Sequence, residues 1–213
     1  MLITALKPTK NKRRLNLFID NKFAFSFDPQ LVFTHKLTVN KKLTTKQFQN
    51  LLHDACFSKL YDKTLNFLSY RPRSIQETEF YLKKQIKKLT QSNTLNTQKL
   101  IDQILNKLKL KKFLNDQTFV KWWVDQRVTH RPKGNFALKA ELFQKGINKD
   151  IINQHLLSAE QEKKLAKQVL QKKFSRFKPL SSQKFKLKAS QFLKSRGFSS
   201  SAIYSLIDEF ISE

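Results

Sequence analysis

The side chains with the most chemistry to offer in this chain are cations placed at corners. Arg71 and Arg73 flank Pro72, and Arg131 and Lys133 flank Pro132 in the same way. A proline ends a helical pattern at or before the residue that precedes it, so each pair marks a helix–helix corner. Repeated corners with paired cations form a regularly spaced positive edge, which suits a partner that itself repeats: phosphates along a nucleic acid, or subunits along a filament. Lys83, Lys84, Lys87 and Lys88 add a dense stripe on one helical stretch, and Arg127, Lys139 and Lys145 complete the candidate edge. The alternative reading of all of them is a solvated face and helix-end charges that favour the C-terminal dipole.

Other chemistry is not indicated. Three glycines, at 134, 146 and 197, cannot make a phosphate-cradling loop. His35, His53, His130 and His155 are widely spaced and lack a partnered Cys pair, so no metal site and no cofactor are expected. Cys56, the single cysteine, lies among Ala55, Phe57 and Leu60 and reads as a small buried hydrophobe rather than a nucleophile. No catalytic constellation emerges, and the protein is not read as an enzyme. Val120, Trp123, Val124 and Arg127 share one helical face, which turns Trp123 to the core. Trp122 points about 100° away, beside Gln126. Three roles remain open for it: packing at a junction between units, contact with a protein, or stacking on a base.

Composition narrows the class. Among 213 residues, 42 Lys+Arg against 16 Asp+Glu give a formal net charge of +26, and 39% hydrophobic residues with 19 Phe are enough for buried cores. The charge is spread: +7, +7, +5 and +7 over residues 1–57, 58–110, 111–157 and 158–213. Such a surface draws polyanions, whether DNA, RNA or an acidic nucleoprotein assembly. A lone thiol fits a reducing cytoplasm. No apolar run reaches the roughly 20 residues of a membrane helix, and the N-terminus has its apolar stretch before its charges, the reverse of a secretory signal. A soluble, cytoplasmic protein without membrane contact is expected.

The elements that must position these groups are mostly helical, because Lys, Gln and Leu are plentiful and Gly and Pro scarce. The exception is the start. Leu2–Leu6 reads as a short strand, and Arg13–Ile19 and Phe23–Phe27 form a hairpin about Asp20-Asn21, residues that tolerate positive φ. Leu15, Leu17 and Ile19 would line one face and Phe18, Phe23 and Phe25 the other. A short helix follows over Gln30–Phe33, and a second, capped by Thr44, over Thr45 to about Phe57. A new helix from Lys59 stops near Ser69. Ser74 and Glu77 form a capping box for a helix to about Leu89, QSNTLNT (91–97) is a polar loop, and Leu100–Leu108 is a third helix. The cycle then recurs over Asp116–Thr129, Asn135–Lys145 and Lys149–Leu157, and again over Glu160–Phe174, Ser182–Ser195 and Ser200–Ile211. LFQKGINKDIINQHL (142–156) and LKSRGFSSSAIYSLI (193–207) align without a gap, pairing Gly146 with Gly197, Ile147 with Phe198, Ile152 with Ile203 and Leu156 with Ile207. The fold class expected is mainly α: a tandem array of three three-helix units behind a small N-terminal β-hairpin extension. Its divisions are 1–57, 58–114, 115–157 and 158–213.

YDKTLNFLSYRPRSIQETEFYLKK, FLNDQTFVKWWVDQRVTHRPKG and ELFQKGINKDIINQHL resemble the bacterial RecX family, modulators of the RecA recombinase. The signatures are the Arg-Pro-Arg-Ser break, Leu114-Asn115-Asp116-x-x-Phe119, Trp123-Val124-x-Gln126-Arg127 and the Glu141-to-Ile147 helix ending. The likeness covers nearly the whole chain and is least close in the third unit. Asn21 and Asn40 stand where related sequences often have Gly, Val120 replaces a smaller residue, and Trp122 is an added aromatic. The resemblance implies an elongated, curved body that binds the RecA–DNA filament along its groove or at its end, inhibiting ATP hydrolysis, strand exchange and co-protease activity. It implies RecA as partner, DNA reached directly or through the filament, and no catalysis. A monomer is the simplest reading. A general DNA- or RNA-binding protein is the competing class, and a structural adaptor with no nucleic-acid role a third.

Overall fold

The structure is a computed structural model that describes residues 1–89, 96–173 and 182–212. The expected polar loop falls, over 91–95, outside the described residues, as does the expected helix end at residue 174. The described residues form a mainly helical chain with a small N-terminal sheet. They divide into two compact units, residues 1–71 with 78–114, and 72–77 with 115 onward. No helix among the described residues is long and apolar enough to cross a membrane.

The first unit opens with three antiparallel strands, β1 (Ile3–Pro8), β2 (Leu15–Ile19) and β3 (Lys22–Phe27), in that order across the sheet. Asp20 and Asn21 both take positive φ, 48° and 63°, as the two-residue turn requires. The expected faces need one correction. Leu17 pairs with Phe25 but Phe18 pairs with Phe23, because the register shifts between them. This bulge puts Phe25 on the core side, against Phe27 and Phe48, and leaves Phe18 and Phe23 in edge contact with each other. Ile3, Leu17 and Phe27 are fully buried there with Leu51, and Ala55 nearly so.

After the short α1 (Gln30–Thr34) comes α2 (Thr45–Ser69), whose start is a capping box between Thr44 and Gln47. The break expected between Phe57 and Lys59 does not occur. No Gly or Pro interrupts the run, and one continuous helix seats Leu51 and Ala55 in the sheet core while also burying Leu60 and Thr64 farther along. Cys56 is half-buried on α2, and burial pushes its thiol pKa up against the opposing pull of Lys59. α3 (Ile75–Leu89) and α4 (Thr97–Leu110) complete the first three-helix set. Phe67 of α2 stacks flat on Tyr81 of α3 with centroids 4.1 Å apart, and the Tyr81 hydroxyl donates to the Lys63 carbonyl.

The second unit holds two further sets: α5 (Asp116–His130), α6 (Asn135–Gln144) and α7 (Lys149–His155), then α8 (Ala159–Gln171), α9 (Ser182–Ser195) and α10 (Ser200–Ser212). Their middle helices end alike. Gly146 and Gly197 take φ of 72° and 77°, and the next amide in each case, Ile147 or Phe198, donates back to the carbonyl of Leu142 or Leu193 at 3.2 Å. Leu142, Ile147 and Ile152 are buried in one core, and Leu193, Phe198, Ile203 and Ile207 in the other.

The sets are joined by one device used twice. The amide of Asn135, at the start of α6, donates to Glu162 of α8 at 2.8 Å, and the amide of Ile75, at the start of α3, donates to Asp116 of α5 at 2.9 Å. Each glycine turn lies against the same helix start. The Phe136 amide donates to the Gly197 carbonyl and the Gly134 amide to the Arg196 carbonyl, both at 3.0 Å. One step earlier, Gly146 lies so close to Gln76 that a Cβ on it would meet that side chain at 2.5 Å. The start of α6 has Gly134 at its cap with no side chain to offer, so the carboxylate from α8 does the capping.

Candidate basic interface

The candidate cations separate by what surrounds them. In the first unit Lys83, Lys84 and Lys87 are exposed on α3, with Lys83 bound to Glu79 one turn back at 2.6 Å. Lys84 and Lys87 have no ion-pair partner among the described residues. The expected corners differ from an open edge. Arg71 and Arg73 are half-buried. In the second unit Arg131 and Lys139 are exposed without an ion pair among the described residues, whereas Lys133 beside Arg131 reaches Glu141.

Glu141 collects the rest. α5 sets Trp123 and Arg127 one turn apart, and α6 sets Glu141 and Lys145 one turn apart facing them. Glu141 accepts from the Trp123 indole N–H at 2.9 Å, from Arg127 Nε at 2.7 Å and from Lys133. Lys145, four residues beyond Glu141, bonds instead to Glu77 at 2.7 Å. Arg127 and Lys145 also lie over the Trp123 ring, 4.4 and 5.4 Å from its centroid. Trp123 thus packs against the core as its helical face implied, half-buried and with its polar edge satisfied. Trp122, also half-buried, packs on Phe119 and edge-on to Trp123.

Arg127 and Lys133 therefore hold the α5–α6 surface together and Lys145 ties it to α3; the sequence offered Glu77 as a cap and Glu141 as part of a helix ending, but not as the partners of these cations. The signal available was scarcity: with 16 acids against 42 bases, few cations can be paired, so the acids decide which ones are. Burial pushes the Glu141 carboxyl up, but the hydrogen bonds from Lys133, Arg127 and Trp123 together outweigh it and hold the pKa below the ordinary glutamate value. A depressed folded pKa means stabilisation present above the unfolded value, near about 4.3, and lost as pH falls through the folded one. Glu141→Gln should lower stability by about 2 kcal/mol at pH 7. In urea melts that gap should narrow at pH 3; a gap that widens there contradicts the assignment.

The histidines, expected apart, are in part brought together: Asp54 lies 2.9 Å from His35 Nε2 and 3.1 Å from His53 Nδ1. Among the described residues no group of three or more His, Cys, Asp or Glu is placed to hold a metal ion.

Comparison with known proteins covers both units. Residues 1–44 match the profile described as "Regulatory protein RecX N-terminal domain", 115–156 "RecX, second three-helix domain" and 160–207 "RecX, third three-helix domain". The chain is similar to "Regulatory protein RecX" of Bacillus subtilis (strain 168), at 31% identity over 94% of this chain and 73% of that protein. It is equally similar to the protein of that name from Bacillus pumilus (strain SAFR-032), at 31% over 99% of this chain and 76% of that one. A solved structure, "Crystal structure of regulatory protein RecX", superposes with a TM-score of 0.71 at 26% identity, covering 98% of each chain.

Proposed function

We propose, from the premise that the chain belongs to the RecX family of regulatory proteins, that it binds the RecA–DNA filament and inhibits the recombinase without catalysis of its own. The family assignment carries this reading. Inhibition would extend to ATP hydrolysis, strand exchange and co-protease activity, by occlusion: a monomer in the cytoplasm lodges in the filament groove or at its end and hinders the movements that accompany ATP turnover.

Within this reading the contact falls to cations with no acid of their own to satisfy them, Lys84 and Lys87 on α3, and Arg131 and Lys139 at the start of and along the α6 region. Arg71 and Arg73 border the first corner. Arg127, Lys133 and Lys145 act behind the surface: Arg127 ties α5 to α6 and Lys133 the preceding loop to α6 through Glu141, and Lys145 ties the end of α6 to the first turn of α3 through Glu77. The test is DNA-dependent ATP hydrolysis by the cognate RecA, titrated with this protein at fixed moderate salt. A parallel titration of DNA without RecA runs beside it. Inhibition should set in well below the concentration that binds free DNA. Reversing Lys84, Lys87, Arg131 and Lys139 to Glu should raise the half-inhibitory concentration at least about tenfold, since charge pairs across an interface govern encounter and register. Unchanged inhibition by that variant removes the surface assignment.

The net charge of +26 favours a second reading, direct binding of nucleic acid. In that case inhibition tracks DNA binding and both weaken steeply with salt, as counterion release demands.

A further inference from the structure

The first unit has a second concentration of positive charge that lies outside every residue of the edge described above. The turn from β1 to β2 is tight: the Thr9 amide donates to the Arg14 carbonyl at 2.8 Å, and Asn11 accepts from the Thr9 hydroxyl and the Arg13 amide. Between this turn, Ser26 of β3 and Lys59 of α2 lies an open hollow of about 530 Å³. Four of the residues lining it are cations, Lys10, Arg13, Arg14 and Lys59, and none is acidic or aromatic.

Arg14 is the anchor. Its Nη2 bonds to the exposed Asp62 at 2.9 Å, while Nη1 is buried and meets no acceptor among the described residues. A guanidinium has five donors, and a half-buried one with donors to spare favours an added anion. Lys59 reports the same imbalance from α2. Burial first, then repulsion from Lys63 and Arg14, lowers its pKa; an anion in the hollow would relieve that repulsion.

The geometry points to a binding site for the phosphodiester backbone of a nucleic acid, formed by Arg14 and Lys59 with Lys10 and Arg13 at its rim. Four cations without an acid in the lining select a polyanion. The lack of an aromatic ring gives a base nothing to stack on, so the backbone rather than sequence is gripped. The site shares no residue with the surface assigned to RecA, so its failure leaves that assignment standing.

The experiment uses the full chain and fluorescein-labelled oligothymidine, followed by anisotropy between about 50 and 200 mM salt. Arg14→Gln with Lys59→Gln should weaken binding several-fold. It should also flatten the plot of log affinity against log salt by about 1.4, two contacts at about 0.7 each for single strands. Because Arg14 touches the sheet, Lys10→Gln with Arg13→Gln, both exposed, repeats the test without disturbing packing, and should move both readouts the same way. The control is Lys22→Gln with Lys46→Gln, exposed lysines of the same unit, which removes equal charge elsewhere. Equal losses in the control and in the two test variants would overturn the site, leaving only diffuse attraction. A parent chain that binds inorganic phosphate through Arg14 and Lys59, with oligothymidine affinity unchanged by their loss, would overturn the nucleic-acid assignment.

Discussion

Glu162→Ala should lower the stability of the second unit by about 2–6 kcal/mol, because it leaves two buried backbone donors without an acceptor. Glu162 is 3% exposed. Its carboxylate accepts from the amides of Asn135 at 2.8 Å and Ser199 at 3.1 Å, and from the Ser199 hydroxyl at 2.8 Å. Those amides open α6 and α10, so the charge lies at two helix N-termini at once, where the partial positive ends of both helices favour it. Alanine would strand two backbone donors, each at about 1–3 kcal/mol. Glu162→Gln keeps the shape but removes the charge and turns part of the acceptor into a donor, so an intermediate loss is expected. Urea unfolding followed by circular dichroism measures both, and exposed Glu160→Ala should fall within about 0.5 kcal/mol of the parent. If Glu162→Ala lies in that band too, the junction does not depend on its carboxylate.

The second large effect is at Gly197, and it has a built-in comparison. A Cβ there would lie 2.3 Å from Ala137 Cβ and 2.5 Å from the Ala137 amide nitrogen, at a φ of 77°. Positive φ alone disfavours alanine by roughly 1 kcal/mol, and a clash with a helix backbone has no side-chain rotation to relieve it. At Gly146, φ is 72° and the Cβ would meet Gln76 Cδ at 2.5 Å and Oε1 at 2.6 Å, which can swing aside, and Gln76 Cβ at 2.8 Å, which needs a smaller shift than the Ala137 backbone does. Gly197→Ala should therefore cost at least about 3 kcal/mol and Gly146→Ala about 1–2. Thermal melts should rank parent, Gly146→Ala, Gly197→Ala in falling order. The reverse ranking of the two variants would mean that the α6–α9 turn contact is looser than drawn.

Local chemistry was legible in the sequence. Ser74 with Glu77 caps α3, Asp20-Asn21 turns β2 into β3, and the two glycines end α6 and α9. Each depends on residues within a few positions of one another. What failed to show was non-local or negative. The bulge that moves Phe25 inward is set by pairing across two strands. The continuity of α2 past Phe57 follows from two cores sharing one helix. Among the candidate cations, the distinction between Lys139, exposed, and Lys145, bonded to Glu77 across 68 positions, depends on the fold alone. Composition announced a positive surface; only the placement of the few acids shows which parts of it are already spoken for.

The joints between helix sets have a shape like plug and socket. The second set carries both halves: Asp116 and Gly146 receive the start of α3, while Gly134, Asn135 and Ala137 enter the receiving end formed by Glu162 and Gly197. In a tandem duplicate of residues 115–157 the start of one copy's α6 would meet Asp116 and Gly146 of the next, where the start of α3 now sits. Each joint thus depends only on neighbouring helix sets, the condition under which a repeat array's stability is a sum over its units and the interfaces between them.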